Sequence, residues 1–193
     1  MILNLNIYDF DKTIYRGDST VDFYFYCLRK RPLIIFIIPY QVWGILKYKL
    51  GLCSKTTMKE YFFCFLKFIK DIDILIHGFS HKYRNKISIW YQEQNHDNDV
   101  IITASPEFIV SSLLSNINVK KLIASDTNKK TGKFTKNNCY GEEKVNRLYE
   151  VFSENVVVEN FYSDSQSDLP LARISQKAFL VSGDKISVWE KEK

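Results

Sequence analysis

Three short apolar runs each give way at once to a polar motif, and that arrangement limits how this chain can fold. The runs are Ile2 to Tyr8, Val100 to Ile102 and Val156 to Tyr162. Each reads as a strand buried in a parallel sheet. The motifs that follow are Asp9-Phe10-Asp11-Lys12-Thr13, Thr103-Ala104-Ser105-Pro106 and Ser163-Asp164-Ser165-Gln166-Ser167-Asp168. Open α/β sheets bind ligands at the carboxyl ends of their strands. The three segments are therefore expected to converge on one crevice. A fourth motif, Gly141-Glu142-Glu143-Lys144, brings a lysine from a helix start.

The residue types specify a chemistry. An acidic pair joined by a second acidic pair suits a hard divalent cation, and a lysine with a hydroxyl suits a phosphoryl group. Taken singly, Asp9 and Asp11 could be turn or cap residues, Lys144 a solvated helix residue, Thr103 a strand end and Asp164 a loop residue. Their joint order after strand-like runs is what argues for a site. Asp168 also suits a helix start ahead of Leu169-Pro170.

With these four motifs the chain resembles the haloacid dehalogenase superfamily, on the side of the phosphoserine phosphatases (subfamily IB). The resemblance runs from Asp9 to Asp168. It implies a Rossmannoid, doubly wound parallel sheet of the α/β class, with a helical cap inserted after the first strand. On that reading the catalytic core is 1–14 and 97–193, and the cap is 15–96. A dehalogenase has no leaving alkoxide to protonate and does not need Asp11, so the pair Asp9 and Asp11 points to the phosphatase and phosphotransferase branches.

Hydrolysis of a phosphate monoester depends on positioning and charge neutralisation. Asp9 is the expected nucleophile, passing through an aspartyl-phosphate. Asp11 lies two residues on, on the same side of an extended strand end. It is expected to protonate the leaving alkoxide and then accept a proton from water. Mg²⁺ is the expected cofactor, held by the Asp9 carboxylate, the Asp11 backbone carbonyl and Asp164. Thr103, the Ala104 amide and Lys144 are expected to bind phosphoryl oxygens. Asp168 is expected to orient Lys144 or a metal-bound water.

Length and composition fit this reading. The 193 residues suit one domain, or one domain with an insertion, and 46% hydrophobic residues allow a sizeable core. Cys27, Cys53, Cys64 and Cys139 show no CxxC spacing and read as reduced thiols. His77, His81 and His96 are scattered. The stretch from Met1 to Phe10 lacks a basic segment before its apolar run and is not read as a signal peptide. The expected location is cytoplasmic.

Between Thr13 and Val100 the chain reads as helical: Ser19 to Leu28, Leu33 to Leu50, Thr56 to Lys70 and Ile74 to Gln94. Beyond it, helices are expected over Pro106 to Ser115, Glu142 to Phe152 and Leu169 to Ser175. Strands are expected over Lys120 to Ala124, Ala178 to Val181 and Lys185 to Trp189, with a hairpin excursion over Asn128 to Asn138.

Charge is unevenly spread. Residues 15–96 carry 13 Lys+Arg and 6 Asp+Glu, a net of +7, against 14 and 16 elsewhere, a net of −2; together these give the formal +5. The run Leu33 to Leu46 is apolar, lies between Arg29-Lys30-Arg31 and Lys47 and Lys49, and contains Pro39. A spanning helix needs about 20 apolar residues, so this one is too short. Two readings stand: a buried cap helix, or an interfacial helix with peripheral membrane contact through residues 29–49.

The expected function is Mg²⁺-dependent phosphomonoester hydrolysis. The leading substrate is phosphatidylglycerophosphate or a related lipid-linked phosphate, and the alternative is a soluble metabolite such as phosphoserine. Arg16 and Asp18 are the candidate specificity residues. Lys59 lies where phosphoserine phosphatases place a carboxylate-binding arginine, and a lysine does not reproduce that bidentate contact. A non-catalytic phosphoryl-binding or membrane-docking role stands behind these, and no nucleic-acid partner is expected.

Overall fold

The first strand, β1 (Leu3–Tyr8), occupies the middle of a sheet whose other strands come from far along the chain. The structure is a computed structural model that describes residues 3–94, 96–153 and 155–190. The expected strand start at Ile2 lies outside the described residues, as do Met1, Asn95, Glu154 and residues 191–193 of the proposed domain division.

Five further strands complete the sheet: β2 (Asp99–Pro106), β3 (Lys121–Ser125), β4 (Val156–Ser163), β5 (Ser175–Ser182) and β6 (Lys185–Val188). The spatial order is β3-β2-β1-β4-β5-β6. All neighbours pair in parallel except β5 and β6, which form an antiparallel hairpin turning at Gly183, φ 62°. The expected α/β architecture is present. The order reverses about β1, and this switch point is where open sheets leave a crevice.

Alternation along β1 divides the interior. Leu5 and Ile7 join Val100, Ile102, Leu148 and Leu171 in one core, while Tyr8 joins Ile101 and the helices between β1 and β2 in another. Tyr8 stacks on Tyr162 with centroids 4.7 Å apart, and Tyr162 stacks on Phe179 at 4.8 Å. This cross-strand aromatic row ties β1, β4 and β5 together beneath their carboxyl ends.

Five α-helices lie between β1 and β2: α1 (Ser19–Lys30), α2 (Ile38–Lys49), α3 (Lys55–Phe63), α4 (Ile72–Tyr83) and α5 (Ile89–Gln92). Asp18 caps α1 by accepting from Val21 N at 3.0 Å, and Ser54 caps α3 by accepting from Thr57 N at 3.1 Å. After β2 come α6 (Glu107–Leu113), α7 (Glu142–Phe152) and α8 (Leu169–Ile174).

Three expected helices are divided. Leu33 to Leu50 is a 3₁₀ segment, Pro32–Ile37, followed by α2, with Pro39 in the first turn of α2. Proline tolerates only a first turn, so a helix restarts there. Thr56 to Lys70 becomes α3 and a 3₁₀ segment, Cys64–Phe68. Ile74 to Gln94 breaks at Arg84–Lys86. There the chain pairs with the loop after β1: Ile87 bridges Tyr15, Arg16 N donates to Lys86 O at 2.8 Å, and Ser88 N donates to Ile14 O at 2.7 Å. Pro106, expected to open a helix, ends β2 instead.

The Asn128 to Asn138 excursion turns back on itself through a bridge between Thr127 and Phe134. Gly132, φ 73°, lies so close to α3 that a Cβ there would meet Phe63 O at 2.3 Å. The excursion therefore packs directly on the inserted helices.

Candidate active site

Asp9 is the first residue beyond β1, and its amide donates to Tyr162 O at 2.9 Å. That bond fixes it beside the end of β4. Its carboxylate faces a cavity of about 430 Å³, lined also by Asp11, Thr103, Ala104, Lys144, Asp164, Asp168 and Asp18. The four motifs, distant in sequence, meet at this one place.

Lys144 sits in the first turn of α7 and is buried. Its Nζ donates to Asp9 Oδ1 at 2.7 Å and to Asp168 Oδ2 at 2.7 Å. Burial disfavours the ammonium, but the two carboxylates outweigh it and hold the lysine charged. Burial also pushes the Asp9 carboxyl up, while Lys144 pulls it down and Asp168 and Asp11 push it up. With a cation at 2.7 Å, the ionised form of Asp9 is the one this geometry holds. Asp168 also accepts from Ser163 Oγ at 2.7 Å. Its Oδ1 is buried with no hydrogen-bond partner among the described residues.

Asp11 lies past the strand end. Its Oδ1 accepts from Ser19 N at 2.7 Å, and its Oδ2 accepts a very short bond from Ser105 Oγ. Burial raises its pKa to about 6; Asp18 adds to the rise, and the bonds from Ser105 and Ser19 oppose it. Lys12, next in the chain, has a left-handed φ of 57° and donates its amide to Tyr15 O and Gly17 O at 2.8 and 2.9 Å. This tight loop turns Asp11 toward the start of α1.

Thr103 is buried, and its Oγ1 accepts from Ser105 N at 3.1 Å, leaving its proton to donate. Ala104 presents its carbonyl to Lys59 Nζ at 2.7 Å and Ser125 Oγ at 3.1 Å. Asp164 lies beyond β4, half-buried; burial raises its pKa and Lys12 opposes the rise.

The specificity candidates divide. Asp18 lines the cavity, although its carboxylate caps α1. Arg16 does not line it. Its guanidinium pairs with Asp184 at 2.8 Å across a separate cavity formed with Gly17, Ser182 and Gly183. This partner comes from the β5–β6 turn, and the cavity it borders shares Lys12 and Asp164 with the larger site.

The family model for haloacid dehalogenase-like hydrolases matches residues 7–173. The chain belongs to this family. Among curated proteins, Protein CicA of Caulobacter vibrioides is 35% identical over 83 residues, which is 40% of this chain and 37% of that protein. The match thus spans little more than a third of that relative. The fold of this haloacid dehalogenase-like hydrolase is similar to a protein of unknown function from Bordetella pertussis Tohama I, with a TM-score of 0.70, 17% identity, and 92% and 89% of the two chains covered. It is also similar to a probable phosphoserine phosphatase from Vibrio cholerae, with a TM-score of 0.59, 12% identity, and 91% and 55% covered.

Sequence reasoning gave no role to several cavity residues of this hydrolase, and it weighed Lys59 only in the place of a carboxylate-binding arginine. Ser105 stands two positions after Thr103, a spacing that returns to the same side of an extended chain. Lys55 and Lys59 are four apart on α3, so helical spacing places them on one face. Lys59 Nζ also donates to Asn138 Oδ1 at 2.9 Å, and Lys55 Nζ lies 3.2 Å from the centre of the Tyr140 ring. Nothing local marks Asn138 or Tyr140, because both arrive from the loop before α7.

Proposed function

We propose that the protein is a Mg²⁺-dependent phosphomonoesterase that works through a phosphorylated Asp9. The observation that carries this reading is the buried row Asp9, Lys144 and Asp168, with Asp11 and Thr103 lining the same cavity. Residues 1–14 and 97–193 form the catalytic core on this reading, and residues 15–96 the cap.

Asp9 attacks phosphorus, and the bond to the leaving oxygen breaks as Asp11 delivers its proton there. Water then attacks the aspartyl-phosphate while Asp11 takes a proton back. Lys144 neutralises the phosphoryl oxygens, and Thr103 donates its hydroxyl proton to them. Asp168 holds Lys144 in line, a positioning role.

The donors fit a hard cation. Asp9 and Asp164 line one cavity, and the unpartnered Oδ1 of Asp168 offers an acceptor for a metal-bound water. Among the described residues no cage of three His, Cys, Asp or Glu side chains exists. On this reading the Asp9 and Asp164 carboxylates and the Asp11 carbonyl would hold Mg²⁺, an ion that usually keeps several waters. When bound, the ion supplies charge for the developing transition state.

The leading substrate is a lipid-linked glycerol phosphate such as phosphatidylglycerophosphate. Support comes from the cavity wall, where Met58, Phe62 and Phe63 stand beside Lys55 and Lys59. The fold likeness to a probable phosphoserine phosphatase favours a soluble alternative such as phosphoserine.

Mg²⁺-dependent phosphate release from phosphatidylglycerophosphate and phosphoserine, side by side with an Asp9→Asn blank, tests both parts. Preference for the lipid supports the leading reading. Preference for phosphoserine replaces the substrate, and release by the blank overturns the mechanism.

A further inference from the structure

Helix α2 is packed inside out. The side it turns to the protein carries Gln41 and Gly44. Gln41 is held by Tyr24 Oη at 2.9 Å and Phe62 O at 2.7 Å. Gly44 is pressed so close to α3 that a Cβ would lie 2.2 Å from that of Tyr61. The outward side carries Val42, Trp43, Ile45 and Leu46, all exposed. The preceding 3₁₀ segment adds Leu33 and Phe36, exposed by 76% and 78%, and Leu50 and Leu52 follow at 69% and 70%. Folded proteins rarely leave so continuous an apolar face in water without a partner for it.

The charge around the face is one-sided. From Phe23 to Lys59 the chain has no Asp or Glu, while Arg29, Lys30, Arg31, Lys47 and Lys49 flank the apolar stretch. An acid that does approach, Asp71, is paired with Arg31.

We propose that the face formed by residues 33–52 docks on an anionic lipid surface. Apolar side chains with lysine and arginine at both ends of the segment match the acyl boundary and the negative headgroups above it. Tyr40, Trp43 and Tyr48, each 40–53% exposed, have an apolar body and a polar edge suited to that depth. A second copy of the chain fits less well, because two-fold pairing would set the same cations against one another. Among the described residues no helix is long and apolar enough to cross a membrane, so the contact is peripheral.

Docking needs only this surface and stands apart from the proposed phosphatase chemistry. It also places the chemistry. α2 packs on α3, and α3 carries Lys55, Met58, Lys59 and Phe62 to the cavity. The docked face and the cavity are then separated by one layer of helix.

The test is flotation of the full chain with phosphatidylcholine vesicles, with and without phosphatidylglycerol. The expected result is retention on the anionic vesicles at low salt, release at high salt, and no retention on the neutral ones. Lys30→Gln and Lys49→Gln should each weaken partitioning roughly fivefold. Leu33→Ser, Phe36→Ser and Trp43→Ser combined should abolish retention while far-ultraviolet circular dichroism and turnover of a soluble aryl phosphate stay unchanged. Should that triple variant fail to fold, wild-type tryptophan emission is the second readout: anionic vesicles should shift it to the blue, and Trp43→Phe should remove the shift. No retention at low salt, or retention unaltered in the folded triple variant, overturns the proposal. So does a vesicle-free dimer that the triple variant dissolves, which would assign the face to a second copy.

Discussion

Lys144 Nζ sits 2.7 Å from Asp9 Oδ1, although 135 positions separate them in the chain. The lysine is held from its other side by Asp168 at 2.7 Å. The proposed nucleophile, the cation and the carboxylate proposed to orient it thus form one buried row; removing Lys144 leaves two carboxylates without their cation, whereas removing either carboxylate leaves the lysine with the other.

Asp168→Ala removes the far end of that row. Lys144 keeps Asp9 but loses one acceptor, and Ser163 loses its own, so we expect a loss of stability of about 1–3 kcal/mol, read by urea denaturation. Asp168→Asn keeps a hydrogen-bond acceptor and should restore much of the stability. Its catalytic deficit should be about 10–100-fold and fall in kcat rather than KM, as for a positioning residue.

Asp11→Asn should slow turnover of alkyl phosphates about 10²–10⁴-fold by removing acid–base assistance. Aryl phosphates with good leaving groups should lose far less in the first step, since they need little protonation. Measured kcat/KM for an alkyl and an aryl ester checks this; equal losses would show that Asp11 serves another purpose.

Lys59 is half-buried and has no carboxylate partner among the described ion pairs. Its pKa is lowered to about 8, first by burial and then by Lys55. An anionic substrate contacting it should bind less well as pH rises through about 8, with KM climbing there. Lys59→Arg should flatten that rise. The stability linkage has the matching sign. The folded pKa lies below the unfolded one, so charging this half-buried amine destabilises the fold below pH 8, and the penalty fades as pH rises from about 8 toward 10.5. Lys59→Met should therefore raise the melting temperature at neutral pH while weakening substrate binding.

Lys12 holds φ 57°, a left-handed conformation that a side chain disfavours. Lys12→Gly should stabilise the fold by about 1 kcal/mol, measured by urea denaturation. The same change removes the cation that holds down the Asp164 pKa, so activity should fall as stability rises.

The site was legible in sequence because its parts sit at strand ends. β1, β2 and β4 announce themselves as apolar runs, and the parallel sheet carries their termini to one edge. α7 was also plain, running from Glu142 to Phe152 as the pattern indicates. What periodicity could not give is long-range pairing. The helix expected over Ile74 to Gln94 breaks where Ile87 bridges Tyr15, and Arg16 meets Asp184 from 168 positions away. The apolar run after Pro32 is equally readable as core or as surface. Only the burial of Gln41 and Gly44 reveals which side of α2 faces inward.

The most direct test of the account is acid quenching of the enzyme during turnover of an aryl phosphate with Mg²⁺, followed by peptide mass spectrometry. The account predicts one added phosphoryl group on the peptide containing Asp9, absent in Asp9→Asn, which should show no turnover. Turnover that persists in Asp9→Asn, or a phosphoryl group on another residue, would contradict it.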